Sequence, residues 1–308
     1  MGLEHIGYVE LPAHTRPGGF DHAAVHGGRK RLYVAHTAND ALDVIDCATE
    51  QYLHSIPHLT GVAGALVSEA RDLVFTSNRG ENTVGIFSPA GEAALVKVPV
   101  GVKPNGLAYD PDRNLLLAAN VGDPSTPGSF TVSVVDVAEK AMIASVPVPG
   151  RTRWTVFDGE TGCFYVNIAD PPQIVVMEAG SPDRAARAFR VPAAGPHGLD
   201  LDPASLRLFC ACDAKELVTV DSWTGKVVDR AAIAGVPDVV FFNPALKHLY
   251  VAVGDPGVIE VFETDTMRRL ESVATERGAH TIAFDATRNA VYAFLPESHR
   301  AALYRDMP

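Results

Sequence analysis

His22, His197, Asp238 and His280 carry the side chains in this sequence best suited to proton transfer or metal binding, and the last three are spaced 41 and 42 residues apart. Imidazoles beside a carboxylate suit a borderline divalent ion such as zinc, manganese or iron, with magnesium and calcium as further candidates. An ion held there with one open position would polarise a carbonyl or activate water. Without an ion, His197, His280 and Asp238 can serve as a general acid–base set, because imidazole titrates near neutral pH. Asn105, Asn120, Arg153 and His36 are the candidate substrate-binding residues, able to orient a carboxylate or carbonyl. Groups so far apart in the chain can cooperate only if a repeated element returns each to one place.

Such an element is present. An apolar run, a turn residue and a second apolar run recur along the whole chain. With Gly27, Ser68, Asp110, Asp158, Asp202, Asn243 and Asp285 as turn markers, the steps are 41, 42, 48, 44, 41 and 42 residues. Each copy continues with runs such as RLYVAH and LDVID, rich in the β-branched and aromatic residues that pack on a pleated surface, and closes with a short fourth run such as QYLHSI. Four strands per roughly 40–45 residues is the pattern of a propeller blade. The expected fold is therefore all-β, a seven-bladed β-propeller of four-stranded blades forming a single domain over residues 1–308. The last copy lacks a fourth strand and residues 4–11 lack a blade, so the N-terminal strand is expected to complete blade 7 and remove an open edge. The long step is assigned to a loop insertion at 121–129, and Gly64, Gly106 and Gly198 to the crowded channel axis.

In a propeller the start of each innermost strand and the end of each second strand ring the same mouth of the channel. The first ring reads Asp21/His22, Ala63, Asn105, Arg153, His197, Asp238 and His280; the second reads His36, Asn78, Asn120, Asn167, Asp213, Asp255 and Glu297. His197, Asp238, His280 and His22 fall on consecutive blades and are expected to share one sector, with Asn105, Asn120 and Arg153 on the opposite side. Hairpins such as DPDRN and NPALK line the other mouth and need only turn chemistry, so no function is assigned to them.

The YVAH, YVNI and YVAV segments, GVKPNGLAYDPDRNLL and FDHAAVHGGRKRLYVAH resemble the YVTN-type repeat propellers over all seven copies, although no copy has the strict YVTN tetrapeptide. More distantly the chain resembles lactonase-like and streptogramin-lyase-like propellers. The resemblance implies a seven-bladed ring, with members that range from binding proteins to lactonase-like hydrolases and metal-dependent lyases. Two functional readings follow. One is a small-molecule hydrolase or lyase using the His/Asp cluster, with a metal bound by His22, His197, Asp238 and His280. The other is a noncatalytic propeller binding a small ligand or a protein partner at the same mouth.

A net charge of -11 speaks against a phosphate-backbone partner, and the absence of GxGxxG and P-loop motifs against a nucleotide cofactor. No basic and apolar leader and no apolar stretch of membrane-spanning length is visible, which leads to the expectation of a cytoplasmic protein, or a periplasmic or secreted one if a signal has been removed. Cys47, Cys163, Cys210 and Cys212 lack framework spacing and are expected to be buried thiols. His5, His14, His26, His54, His58 and His248 are expected at the surface, Trp154 and Trp223 in blade packing, and His36 and His299 near the polar mouth.

Overall fold

The alternation of β-branched and aromatic residues with short turns produces seven separate four-stranded antiparallel sheets in a computed structural model describing residues 2–307. In blades 1 to 6 the strands follow chain order from the axis outward. Blade 5, for example, runs Pro196–Asp202, Arg207–Cys212, Glu216–Asp221 and Val227–Ala232. Blade 7 takes Ile282–Asp285, Ala290–Leu295 and Arg300–Met307 from the C-terminal part of the chain, and its outer strand is Gly2–Glu10, paired antiparallel with Arg300–Met307. This is the seven-bladed β-propeller expected, closed by the N-terminal strand. Residues 121–129 form the loop insertion, and no helix is long and apolar enough to cross a membrane.

Burial follows the distance of each strand from solvent. Second strands such as Leu115–Asn120 and Cys163–Ile168 are covered on both faces and buried throughout, whereas the outer strand Arg268–Ala274 has no fully buried residue. The core is divided among the blade interfaces. One apolar cluster joins Leu32, Val34 and Ile45 of blade 1 to Tyr292 and Leu303 of blade 7 and to Val9 of the closing strand, and another joins Tyr165 and Val176 of blade 4 to Leu208 and Cys210 of blade 5. Tyr33, Tyr165, Tyr250 and Tyr292 occupy equivalent second-strand positions and are fully buried wedges. All four cysteines are free and buried.

The innermost strands share a local irregularity that sets up the mouth. In blades 2 to 6 the pairing between the first and second strands shifts within the first residues, between Val62 and Gly64, Pro104 and Leu107, Thr152 and Thr155, Pro196 and Gly198, and Pro237 and Val240. Each shift brackets a first-ring residue: Ala63, Asn105, Arg153, His197 or Asp238. A bulge bends the strand and re-aims the side chain it contains, which releases these positions from the in–out alternation of the sheet. The bulged carbonyls then approach the neighbouring blade. A Cβ on Gly64 would stand 2.6 Å from the Asn105 carbonyl oxygen, one on Gly106 2.6 Å from that of Arg153, and one on Gly198 2.3 Å from that of Asp238. These are the three axial glycines the sequence pointed to, and a side chain there would push adjacent blades apart.

Gly198→Ala is accordingly expected to lower stability by roughly 1–3 kcal/mol through overpacking, read as a lower thermal midpoint, whereas Gly180→Ala, where nothing stands within 4 Å of the added carbon, shifts it little.

Candidate functional site

The bulges of blades 4, 5 and 6 bring Arg153, His197 and Asp238 side by side. His197 Nδ1 lies 2.7 Å from Asp213 Oδ1, and its Nε2 lies 3.2 Å from Asp238 Oδ1 and 3.0 Å from a guanidinium nitrogen of Arg153. The other oxygen of Asp238 accepts a 2.7 Å hydrogen bond from His280 Nδ1. His22 is buried beneath this group, its ring stacked 4.1 Å from Trp154 and its Nε2 3.3 Å from Asp21. Arg79 reaches Asp21 at 3.4 Å and donates to Asn105 Oδ1 at 2.6 Å. His22, His197, Asp238 and His280 therefore gather at one opening, and Arg153 joins them instead of standing on the opposite side. Arg79 and Asp213 complete the group. Asp213 stood in the second ring without an assigned role, and Arg79 one residue past that ring's Asn78.

The charges in this cluster are set by burial working against neighbours. Burial is the largest influence on His280 and opposes its protonation, but the hydrogen bond to Asp238 and the charges of Asp238 and Asp21 outweigh it and raise the ring to about 9. For His197 burial again disfavours the cation, and Asp238 and Asp213 together still raise it. Asp238 pays the reciprocal effect: burial favours its neutral form, yet His197 and His280 hold it well below the usual carboxylate range. His22 goes the other way, since burial dominates over Asp21 and Asp238 and lowers it. At neutral pH the opening thus holds an imidazolium on Asp238 and a neutral imidazole below it.

This arrangement does not fit the metal expected on His22, His197, Asp238 and His280. Both ring nitrogens of His197 are engaged, and one faces the Arg153 guanidinium, a positive charge where a cation would have to stand. His280 Nδ1 and Asp238 are committed to each other. Among the described residues no group of three or more His, Cys, Asp or Glu side chains is arranged to hold an ion. The geometry supports acid–base and anion-binding chemistry in its place.

The second ring behaves differently from the first. Asn120 is fully buried and donates to Thr131 Oγ1 and Ser133 Oγ, both at 3.0 Å. His36 is fully buried with Nδ1 2.7 Å from Asp43 and Phe20 packed on its ring. Neither reaches a ligand at the mouth, so both are corrections to the expected substrate-binding set, while Asn105 stays at the mouth as a partner of Arg79. Asn167 likewise turns inward, donating to the carbonyls of His197 and Gly198. Asn167 fastens blade 4 to blade 5, whereas Asn120 and His36 bond neighbouring strands of their own blades, because the ends of second strands follow regular alternation and leave the channel.

Three of the histidines expected at the surface are also packed. His26 lies 3.0 Å from Asp72, His248 lies 2.6 Å from Asp306, which also accepts from Tyr250, and His14 meets the rings of His36 and His299 edge to face at 5.0 and 4.4 Å. Trp223 is 62% exposed and carries no blade packing of the kind expected, whereas Trp154 lies in the channel against His22 and Phe241.

The cavity below the mouth has no counterpart in the sequence reading. About 410 Å³ in volume, it extends from His22 and Trp154 down the channel to Ser68, Glu69 and Pro111 at the opposite hairpins. Asp200, from the innermost strand of blade 5, lines it.

No family model matches the chain, and no curated protein matches it in sequence. Solved structures match its fold. One is the Kuenenia stuttgartiensis hydrazine synthase, with a TM-score of 0.83 and 13% identity over 96% of this chain and 97% of that one. Another, described as a mitotic checkpoint complex, has a TM-score of 0.81 and 11% identity over 99% of this chain and 92% of that one. At such identities the likeness is one of fold.

The Asp238–His280 pair predicts a measurable pH signature. The His280 ring should titrate near pH 9 by NMR and fall toward the ordinary imidazole value in Asp238→Asn. Because the His280 value is raised, its contribution to stability is complete below the ordinary imidazole range and is lost as pH rises through about 9. The Asp238 value is lowered, so its contribution is present above the carboxylate range and lost as pH falls. Asp238→Asn should therefore cost most near neutral pH, about 1–3 kcal/mol given the partial solvation of His280, and least above pH 10, as measured by urea unfolding.

Proposed function

We propose that the polar mouth binds a small anionic molecule and that the His280–Asp238 pair transfers a proton to it, in a hydrolase or lyase reaction that uses no metal. The observation carrying this reading is the 2.7 Å His280–Asp238 bond at an opening shared with Arg153 and Arg79. With Nδ1 committed to Asp238, His280 reaches a ligand through Nε2, and its raised value makes it a proton donor at neutral pH. His22, held neutral by burial, is the neighbouring ring able to accept one. Titratable groups driven in opposite directions within one site divide the acid and base roles between them. The two guanidiniums supply fixed positive charge for a carboxylate or for an oxyanion developing on a carbonyl.

A second reading, a noncatalytic mouth that holds a ligand or a protein partner, draws support from His197. Both of its nitrogens are engaged within the protein, as in a side chain that shapes an opening. One of the structures with this fold belongs to a multiprotein complex, the mitotic checkpoint complex.

A panel of small lactones and carboxylates, followed by product detection, separates the two. Catalysis predicts turnover that falls about 10²–10⁴-fold in His280→Gln, declines as pH rises through about 9, and persists after exhaustive chelation. Arg153→Gln should chiefly raise KM. Turnover unaffected by His280→Gln removes the catalytic assignment, and saturable binding with no product supports the second reading.

A further inference from the structure

The channel cavity is lined mainly by carbon, with two carboxylates, the hydroxyl residues Ser68, Tyr109 and Thr155, and no basic side chain except the buried ring of His22. Its walls are Leu66, Val67, Tyr109, Trp154, Phe157 and Phe241, and neither lysine nor arginine contributes to it. Two carboxylates are present. Glu69, near the opposite opening, already accepts the backbone N–H groups of Gly27 and Gly28 at 2.9 and 3.2 Å. Asp200 lies deeper, and each of its oxygens takes one backbone N–H, from Leu201 at 2.8 Å and Phe242 at 2.6 Å. Those two donors and burial are the only influences on its carboxyl; no cation faces it.

An acidic group kept in an apolar enclosure without a counter-charge is costly, and sites that retain one generally use it. Asp158 and Asp285, buried in hairpin turns, rely on backbone and hydroxyl donors, but the carboxylates at the mouth and between the blades are paired. Asp21, Asp43, Asp213, Asp238 and Asp306 each have a histidine or arginine partner. Each Asp200 oxygen keeps a lone pair free beyond its one N–H bond, and Trp154 and Phe241, 6.3 Å apart and nearly perpendicular, present aromatic surface suited to a cation.

We propose that this cavity is a second ligand site, separate from the polar mouth, which takes a small organic ammonium ion with an apolar or aromatic body. The ammonium group lies against Asp200 and the body against Trp154 and Phe241. A volume of about 410 Å³ accommodates a compact ligand of this kind. The site borders the mouth at His22, which both share, but His280, Arg153 and Arg79 do not line it, so ammonium binding at Asp200 can be tested apart from the reaction assigned to the mouth.

Burial raises the Asp200 carboxyl to about 7, so binding a cation must draw a proton off it near neutral pH. The elements packed around it contribute Trp154 from blade 4, Phe209 from the paired second strand, and Phe241 and Phe242 from blade 6, none of them titratable. Within the cavity the titratable groups are His22, Glu69 and Tyr109.

Calorimetry with 2-phenylethylammonium and its neutral counterpart 2-phenylethanol tests the proposal on the unmodified protein. The ammonium ion should bind at least tenfold more tightly than the alcohol, with affinity rising as pH is raised from 6 to 8 and protons released on binding near pH 7. Asp200→Asn, whose amide oxygen preserves one of the two backbone bonds, should lose at least tenfold in ammonium affinity, while Glu69→Gln and His280→Gln retain it. Equal affinity for ion and alcohol, or no ammonium binding up to millimolar concentration, overturns the proposal. Should Asp200→Asn fail to fold, the ion-to-alcohol comparison across pH decides the question alone.

Discussion

The structure turns on a contact between backbones: the carbonyl of a bulged residue in one blade set against a glycine in the blade before it. Asn105 O lies against Gly64, Arg153 O against Gly106 and Asp238 O against Gly198. The Asn105 carbonyl is also an acceptor, taking a bond from Ser77 Oγ at 2.7 Å, and the carbonyl of the equally bulged His197 takes one from Asn167 Nδ2 at 3.0 Å. This contact fixes the spacing of the innermost strands and, through the bulge, decides which side chains face the opening. Architecture and chemistry are joined here at the same few peptide units, because a shift large enough to relieve one would move the other.

The channel handles charge in two contrasting ways along its length. At the polar mouth every ionised group has an opposite partner, and the network formed by Arg153, His197, Asp213, Asp238 and His280 is close to internally neutral. Each partner offsets the desolvation of the next, which is why Asp238 stays ionised although buried. Deeper in the channel Asp200 has only peptide donors, and the same desolvation drives it toward neutrality. Two carboxylates on adjacent innermost strands thus come to rest in opposite protonation regimes. The difference lies in what surrounds them, not in the strands that carry them.

Much of this was legible in the sequence. The repeat of turn residues specified the blade count, the four-stranded pattern and the closure by the N-terminal strand, because each depends only on periodicity. The convergence of His22, His197, Asp238 and His280 was legible for the same reason, as equivalent positions in a ring must meet at its axis. Orientation was less accessible. Asn120 and His36 sit at strand ends where one residue of register decides between channel and interblade packing, and the sequence does not display that choice. The unsuitability of the cluster for a metal depends on Arg153 leaning across a blade boundary onto His197, a contact made by side-chain conformation. His26, His248 and His14 are packed because a neighbouring turn supplies Asp72, the strand Arg300–Met307 of the next blade supplies Asp306, and the loop before blade 1 folds onto His299. Asp200, within GLDLD, looks like any polar residue alternating along a strand until the ring encloses it.

The pairing of Gly2–Glu10 with Arg300–Met307 also orders events during synthesis. Gly2–Glu10 is made before the rest of the blade it completes, so it has no partner while the intervening blades emerge. At about 5–20 residues per second this wait lasts on the order of fifteen seconds to a minute. The segment carries Glu4, His5 and Glu10 among its apolar residues, polar positions that discourage premature pairing with a foreign edge. Completion of the ring therefore waits for the last strand, and the polar mouth, which needs blades 7 and 1 adjacent, is complete only once that strand is in place.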